Sequence, residues 1–308
     1  FSTFTTGPAI PVNGVCGSAN GQTVATPPTT NLCSAGTASS LLNNAGTVSW
    51  TCNGESTGTN ASCSATITPA QACYAAPSGL VSWWKGDNSA LDQQGLNNGT
   101  LENGVTYGLG EVNNAFSLNG SDQYVLIGQP VPASLQFQSA MTLSAWINPT
   151  AIPSISSGGY YGLIVGGQYA GSTAGAGVYI NGPNYNSPAD APPGGIVWVI
   201  GDGSHWYEAY TTTQVPLNQW TLVTATASAG NPLQVYFNGV AQPVVNNGTT
   251  TTWTGTASYT NSWFAIGQED YYNRPFTGLI DEVQAYDTAL TAAQIQGIYN
   301  AGDAGVCP

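Results

Sequence analysis

Basic side chains are almost missing from this sequence: 308 residues hold only Lys85 and Arg274 against fifteen Asp and Glu, a net charge of −13. A chain of that sign repels phosphate backbones and anionic lipid, which excludes nucleic acid as a partner. Charge of either sign is scarce at 6% of residues, yet 42% are hydrophobic and there are nine Trp and sixteen Tyr. That balance excludes a disordered acidic chain and leaves a folded protein whose surface is Thr, Ser, Asn, Gln and Gly. No apolar run reaches about 18 residues, so no membrane span is expected. The opening "FSTFTTGPAI" has no basic stretch followed by an apolar one, which implies that any secretion signal has been removed.

Six cysteines stand at 16, 33, 52, 63, 73 and 307. None forms a CxxC pair and the single histidine, His205, offers no zinc constellation, so they read as disulfides of an extracellular or cell-surface protein. Four of them fall in the first 72 residues, which carry one charge, Glu55. There "TVSWTC" and "ASCSATI", joined by the turn-rich "NGESTGTN", predict a hairpin inside a small disulfide-stapled β module over 13–68. An uncharged tail, 1–12, precedes it and a linker, 69–78, follows. Four cysteines allow three pairings, of which Cys16–Cys63 with Cys33–Cys52 is favoured, and Cys73 and Cys307 bracket the remainder.

From 79 to 308 the chain is a series of short strands bounded by Gly, Asn or Pro: "LVSWW", "AFSL", "QYVLIG", "MTLSAWIN", "YGLIVG", "GVYING", "GIVWVIG", "WTLVTATA", "LQVYFNG", "WFAIG" and "GLIDEVQAY". Eleven such runs predict a large all-β sandwich or jelly roll. Only "TAAQIQGIYNAG" reads as a helix, capped by Thr291, with Ala292, Ile295, Ile298 and Tyr299 on one face and Gly302 as its stop.

The acids pose a physical problem. In a regular strand Asp281 and Glu282 point to opposite faces, so one turns inward, and a buried carboxylate without a partner costs several kcal/mol. The partner is either Arg274 or a metal ion, and surroundings of carboxylate, amide and carbonyl oxygen suit Ca²⁺.

The stretches "GLVSWWKGDNSALDQQGLNNGTLENGVTYGLGEVNNAFSLNGSDQYVLIG", "MTLSAWINP", "QWTLVTATASAGNPLQVYFNGV" and "FTGLIDEVQAYDTALTAAQI" resemble, in order, the strands of laminin-G-like domains. These are concanavalin A-like jelly rolls related to the pentraxins. The cysteine-rich segment is similar to small repeats of secreted bacterial surface proteins. The resemblance implies calcium held on a rim by Gln268, Glu269 and Asp270 with Asn119 and Asp122 of "SLNGSDQYV". Where pentraxins carry a further acid, this chain has "YYNR", which argues against a second adjacent ion. The resemblance also implies a structural calcium, for which Asp92 and Asp281 are the candidates.

Glycosidase relatives on this jelly roll need two carboxylates flanking the sugar bond, close together as Glu-x-Asp-x-x-Glu. That pattern is absent, so no catalysis is expected. Carbohydrate binding is the alternative to a structural role, with His205, Trp206, Tyr207, Trp253, Tyr271 and Tyr272 in loop-like segments as stacking candidates, whereas Trp83, Trp146, Trp198, Trp220 and Trp263 read as core. The principal expectation is an adhesive or filament-forming surface protein. In that reading "FSTFTTGPAIPV" either adds as a strand to another copy of the chain or folds back on its own module. The expected partners are thus other copies of itself or surface glycans.

Overall fold

The structure, a computed structural model, describes residues 10–24, 27–44, 47–67, 73–153, 161–169, 173–183, 188–268 and 274–307. The chain divides into two compact units, Phe1–Ala72 and Cys73–Pro308.

The first unit is built on the antiparallel pair Thr47–Asn53 and Ala61–Ile67, with Trp50 opposite Cys63. Alternation along the first strand turns Val48, Trp50 and Cys52 inward, where they meet Cys63, Ala65 and Ala19. So few apolar groups make a marginal core. Two bridges, Cys16–Cys63 and Cys33–Cys52, tie it together. Thr23–Val24 runs parallel to one edge of the pair, while Thr37–Ala38 and Leu42–Asn44 join the other. Val12 bridges to Glu55 of the same unit. The rest of the tail read as a donor strand, residues 1–9, lies outside the described residues.

The second unit is a sandwich of two antiparallel sheets, and all eleven runs read from the sequence are strands within it. One sheet, eight strands wide, orders Thr100–Glu102, Tyr124–Gly128, Phe264–Ile266, Tyr161–Tyr169, Ala174–Asn181, Gly195–Asp202, Trp206–Gln214 and Val244–Val245. The other orders Thr106–Leu109, Asn114–Asn119, Thr277–Tyr286, Ala140–Pro149, Thr221–Ser228, Gln234–Phe237 and Val240–Ala241, with Leu80–Trp84 also paired to Thr277–Tyr286. Trp84, Phe116, Leu143, Trp198, Ile266 and Ile280 are among the side chains that fill the space between the sheets.

The helix Ala292–Asn300 begins with a reciprocal cap: the Thr291 hydroxyl accepts from Gln294 N–H, and the Gln294 side chain accepts from Thr291 N–H at 2.9 Å. Ile295 and Ile298 pack with Trp83, Trp146, Leu222 and Tyr286 on the outer side of the second sheet, whereas Ala292 is exposed. Cys73–Cys307 joins the ends of this unit, where Tyr74–Ala75 pairs in parallel with Val306–Cys307. Among the described residues no helix is long and apolar enough to cross a membrane.

Candidate functional site

The first sheet has a second face, and its residue pattern is unlike a solvated one. Along Ala174–Asn181 and Gly195–Asp202 every side chain but the last is buried, with Val178, Ile180, Trp198 and Ile200 toward the core and Tyr179, Val197 and Val199 away from it. Along Trp206–Gln214 the alternation sends Tyr207 and Ala209 inward and Trp206, Glu208 and Tyr210 outward. Tyr124, Trp263 and Tyr161 come from the neighbouring strands to the same outer cluster. Six strands thus contribute, and their five spacings of about 4.8 Å stretch the cluster over about 24 Å.

Glycines make room for the rings there. A Cβ on Gly177 would sit 2.8 Å from the Tyr179 ring, and one on Gly167 would sit 2.9 Å from the Trp263 indole. Tyr124 stacks obliquely on Trp263 with centroids 5.3 Å apart, and Tyr161 meets Tyr179 at 6.1 Å. The Tyr161 and Tyr210 hydroxyls are 3.2 Å apart, and the Arg274 guanidinium lies 5.0 Å over the Tyr161 ring. Glu208 is half-buried in this row, and the Thr249 hydroxyl donates to it at 3.5 Å. Burial raises its pKa above the usual carboxylate value. Among the described residues the buried Trp263 indole N–H has no hydrogen-bond partner. Tyr179, Tyr210 and Trp263 form the floor, while Tyr124, Tyr161, Trp206, Glu208 and Arg274 keep part of their surface open.

The residues singled out in the sequence distribute differently. Trp206 belongs to this face, but on a strand rather than in a loop. Tyr207 and Trp253 are core residues: the Tyr207 hydroxyl donates to Asp202 at 2.9 Å, and the Trp253 indole donates to the Thr256 carbonyl at 2.8 Å. Neither can stack on a ligand. His205 is exposed, its side chain 73% accessible, beside Asp202. Tyr271 and Tyr272 lie outside the described residues, as do Glu269 and Asp270.

The calcium candidates divide in the same way. Asn119 and Asp122 are exposed in a turn closed on itself, where the Asn119 amide donates to Asp122 at 3.1 Å and its carbonyl accepts from the N–H groups of Ser121 and Asp122. Gln268 is buried nearby, since the preceding Gly267 backs onto Leu118. Asp92 is buried and saturated: Oδ1 accepts from Trp83 and Gln94 N–H, and Oδ2 from Leu96 and Asn97 N–H, all at 2.8 to 3.2 Å. Four backbone donors take the place of a cation, so Asp92 does not fit the structural-calcium role. Asp281 and Glu282 are both buried, and among the described residues each keeps one carboxylate oxygen without a hydrogen-bond partner, Oδ1 and Oε1. Desolvation pushes Asp281 up to about 8 and Glu282 up to about 7. Arg274, the partner weighed for them, instead packs against Tyr161 and Tyr179 on the far side of the sandwich.

The expectation that Asp281 and Glu282 face opposite ways is overturned by a β-bulge. Trp146 pairs with Asp281 and Ser144 with Gln284, so Ala145 alone is opposed by two residues, and Glu282 adopts a left-handed φ of 51°. Ile280 and Val283 both remain in the core, which leaves Asp281 and Glu282 together on the outer side.

The family model of the concanavalin A-like lectin/glucanases superfamily matches residues 119–296. The chain belongs to that superfamily. Among solved structures it is similar to domain 4 of AbnA, an extracellular arabinanase from Geobacillus stearothermophilus, in complex with arabinotriose: identity is 22%, the TM-score 0.52, and 70% of this chain and 96% of that one are covered. It is also similar to the binding domain of Paraclostridial Mosquitocidal Protein 1, at 20% identity and a TM-score of 0.53, covering 72% of this chain and 52%, about half, of that one. Among curated proteins no sequence matches. At these identities the likeness establishes the concanavalin A-like sandwich.

Proposed function

We propose that the protein is a non-catalytic carbohydrate-binding module of an extracellular protein, and that the saccharide lies along the outer face of the first sheet. The observation that carries this reading is the row of half-open Tyr124, Tyr161 and Trp206 interleaved with Glu208 and Arg274. Flat rings offer the apolar faces of a sugar a surface, while a carboxylate and a guanidinium hold its hydroxyls. Membership of a superfamily of lectins and glucanases supports it, as does an arabinanase domain seen with arabinotriose. The strip suits an oligosaccharide rather than a single ring. A net charge of −13 favours neutral sugars over polyanions.

Hydrolysis has weaker grounds. It requires a second carboxylate across the sugar bond from the first, and the groups that act on Glu208 are the hydroxyls of Thr249 and Tyr210. The disulfides suit an oxidising, extracellular setting. Assembly into a filament through the first residues rests on residues 1–9 and is not part of this proposal.

Affinity electrophoresis and calorimetry against arabino-oligosaccharides and other neutral oligosaccharides test it. Binding is expected, with Trp206→Ala and Tyr161→Ala each weakening it about tenfold, or ~1.4 kcal/mol, while the fold is retained. Failure of every saccharide to bind, or binding by both variants as tight as by the parent, would reject it.

A further inference from the structure

The two bridges of the first unit lie against each other. Cys16–Cys63 and Cys33–Cys52 meet through their inner sulfurs, Cys52 Sγ and Cys63 Sγ, which are 3.6 Å apart. The sulfurs of Cys16, Cys52 and Cys63 all fall within 4.8 Å of one another. Cys52 and Cys63 are buried, whereas Cys16 and Cys33 are half-buried. The strands bring the outer two together as well: in the antiparallel pair Val15–Cys16 and Cys33–Ala35, Cys16 stands opposite Cys33. Each cysteine thus has two neighbouring cysteines, the one it is bonded to and one on the strand paired with its own. We propose that these four residues are a thiol-exchange site, at which a small thiol re-ties the module as Cys16–Cys33 and Cys52–Cys63.

The exchange involves no net oxidation. A thiolate from solvent attacks Cys33 Sγ, the more accessible end of its bridge, forming a mixed disulfide and expelling Cys52 as a thiolate. That anion is buried with Val48, Trp50 and Ala65, where charge is costly, and it touches Cys63. No longer held by Cys33, the Cys52 side chain turns into line with the neighbouring bridge and attacks Cys63 Sγ. The Cys52–Cys63 bond forms, the Cys16–Cys63 bond breaks, and the charge leaves on half-buried Cys16. Cys16 then attacks Cys33 Sγ opposite it, forming Cys16–Cys33 and releasing the small thiolate. Entry at Cys16 runs the same exchange from the other bridge and gives the same product.

The product is fastened differently. In the observed pairing both bridges tie the strands around Cys16 and Cys33 to the pair Thr47–Asn53 and Ala61–Ile67. After exchange each bridge lies within one strand pair, and none joins the two pairs. The new bridges span fewer residues than the 47 and 19 of the old, so they restrict the unfolded chain less. With few apolar groups in its core, the module loses stability, and an external thiol thereby loosens this unit while the sandwich keeps its own bridge.

Full-length protein incubated with glutathione at mildly alkaline pH, quenched in acid, alkylated and mapped without reduction tests the exchange. Lys85 and Arg274 lie outside the unit, so trypsin leaves it whole, but cleavage after Leu32, Trp50 and Glu55 puts the four cysteines on four peptides. Peptides joined through Cys16–Cys33 and through Cys52–Cys63 should appear together, at least tenfold more abundant than those of the third pairing, Cys16–Cys52 with Cys33–Cys63. Cys33→Ser tests the internal step with no thiol added: it frees Cys52, which should take Cys63 from Cys16, so that alkylation labels Cys16. Cys16→Ser frees Cys63 and should label Cys33, both variants converging on the Cys52–Cys63 bridge. The proposal is overturned if the glutathione-treated parent keeps its pairing, yields only reduced cysteines, or yields the third pairing in comparable amount, which is scrambling through the unfolded chain. It is overturned equally if the label stays on Cys52 in the first variant and on Cys63 in the second. Should a variant fail to fold, the map of the parent decides alone.

Discussion

At the scale of single residues, carboxylates are handled in three ways, and only burial plus partners tells them apart. Asp92 is neutralised by four backbone N–H groups, Asp281 and Glu282 are half satisfied, and Glu208 stands half-open with the hydroxyls of Thr249 and Tyr210 as its donors. Glu208 carries a pH prediction. Burial raises its folded pKa above 4.5, so the folded state holds the proton more tightly than the unfolded one. The ionised form is penalised on folding. Its contribution to stability is therefore most favourable below the unfolded pKa and declines as pH rises through the folded one. Glu208→Gln removes the decline, so the variant should gain stability relative to the parent as pH rises above 4.5 in urea titrations. Parallel curves for the two proteins across that range would contradict the buried-acid account. Sequence made part of this legible: an excess of unpartnered acid is visible in composition, and so is the need for something opposite Asp281 and Glu282. What it hid was the bulge. Period-two reasoning assumes an unbroken ladder, and a glutamate in the left-handed region leaves no mark such as the glycine that usually fills it.

At the scale of elements, long runs of Val, Ile, Leu and Trp were readable as strands because the sandwich buries them on one or both faces. Trp206–Gln214 was not, since "WYEAYTTTQ" puts aromatics on both faces and then a run of threonine, with no apolar-polar contrast to count. Its core-facing Tyr207, Ala209 and Thr211 carried the available signal. The helix was legible through Thr291 and the spacing of Ile295 and Ile298, though its packing partner was not. Gly297 shows why. In an exposed helix, replacing glycine by alanine stabilises by roughly 1 kcal/mol. Here a Cβ would fall 2.3 Å from the Tyr74 ring, and an overlap of that size displaces either the ring or the helix. Gly297→Ala should therefore lower stability by about 1–3 kcal/mol, against its propensity. Tyr74→Ala in the same chain should recover part of the loss. A more stable Gly297→Ala variant in thermal melts would mean that Tyr74 moves aside freely.

At the scale of the whole molecule, the two units are stabilised differently, and this can be measured. The first has a handful of buried apolar side chains and two bridges, so its covalent links carry much of its stability. The second has a large core, and its bridge does something else: Cys73 and Cys307, 234 residues apart in sequence, fasten a short parallel pair at which both ends of the sandwich meet. Closing so long a loop restricts the unfolded chain, by about 5 kcal/mol in the chain-entropy account, an upper figure because denatured chains keep some structure. Tryptophan fluorescence separates the units, since Trp50 is alone in the first and the other eight are in the second. Cys73→Ala with Cys307→Ala should therefore shift the main fluorescence transition in guanidinium to lower concentration. It should leave the other two bridges intact in non-reducing peptide maps, and the second unit should still fold, because its core does not depend on the link. An unmoved transition would assign its stability to the core alone. Loss of all folding would show that the ends of the sandwich must be fastened before the two sheets can close.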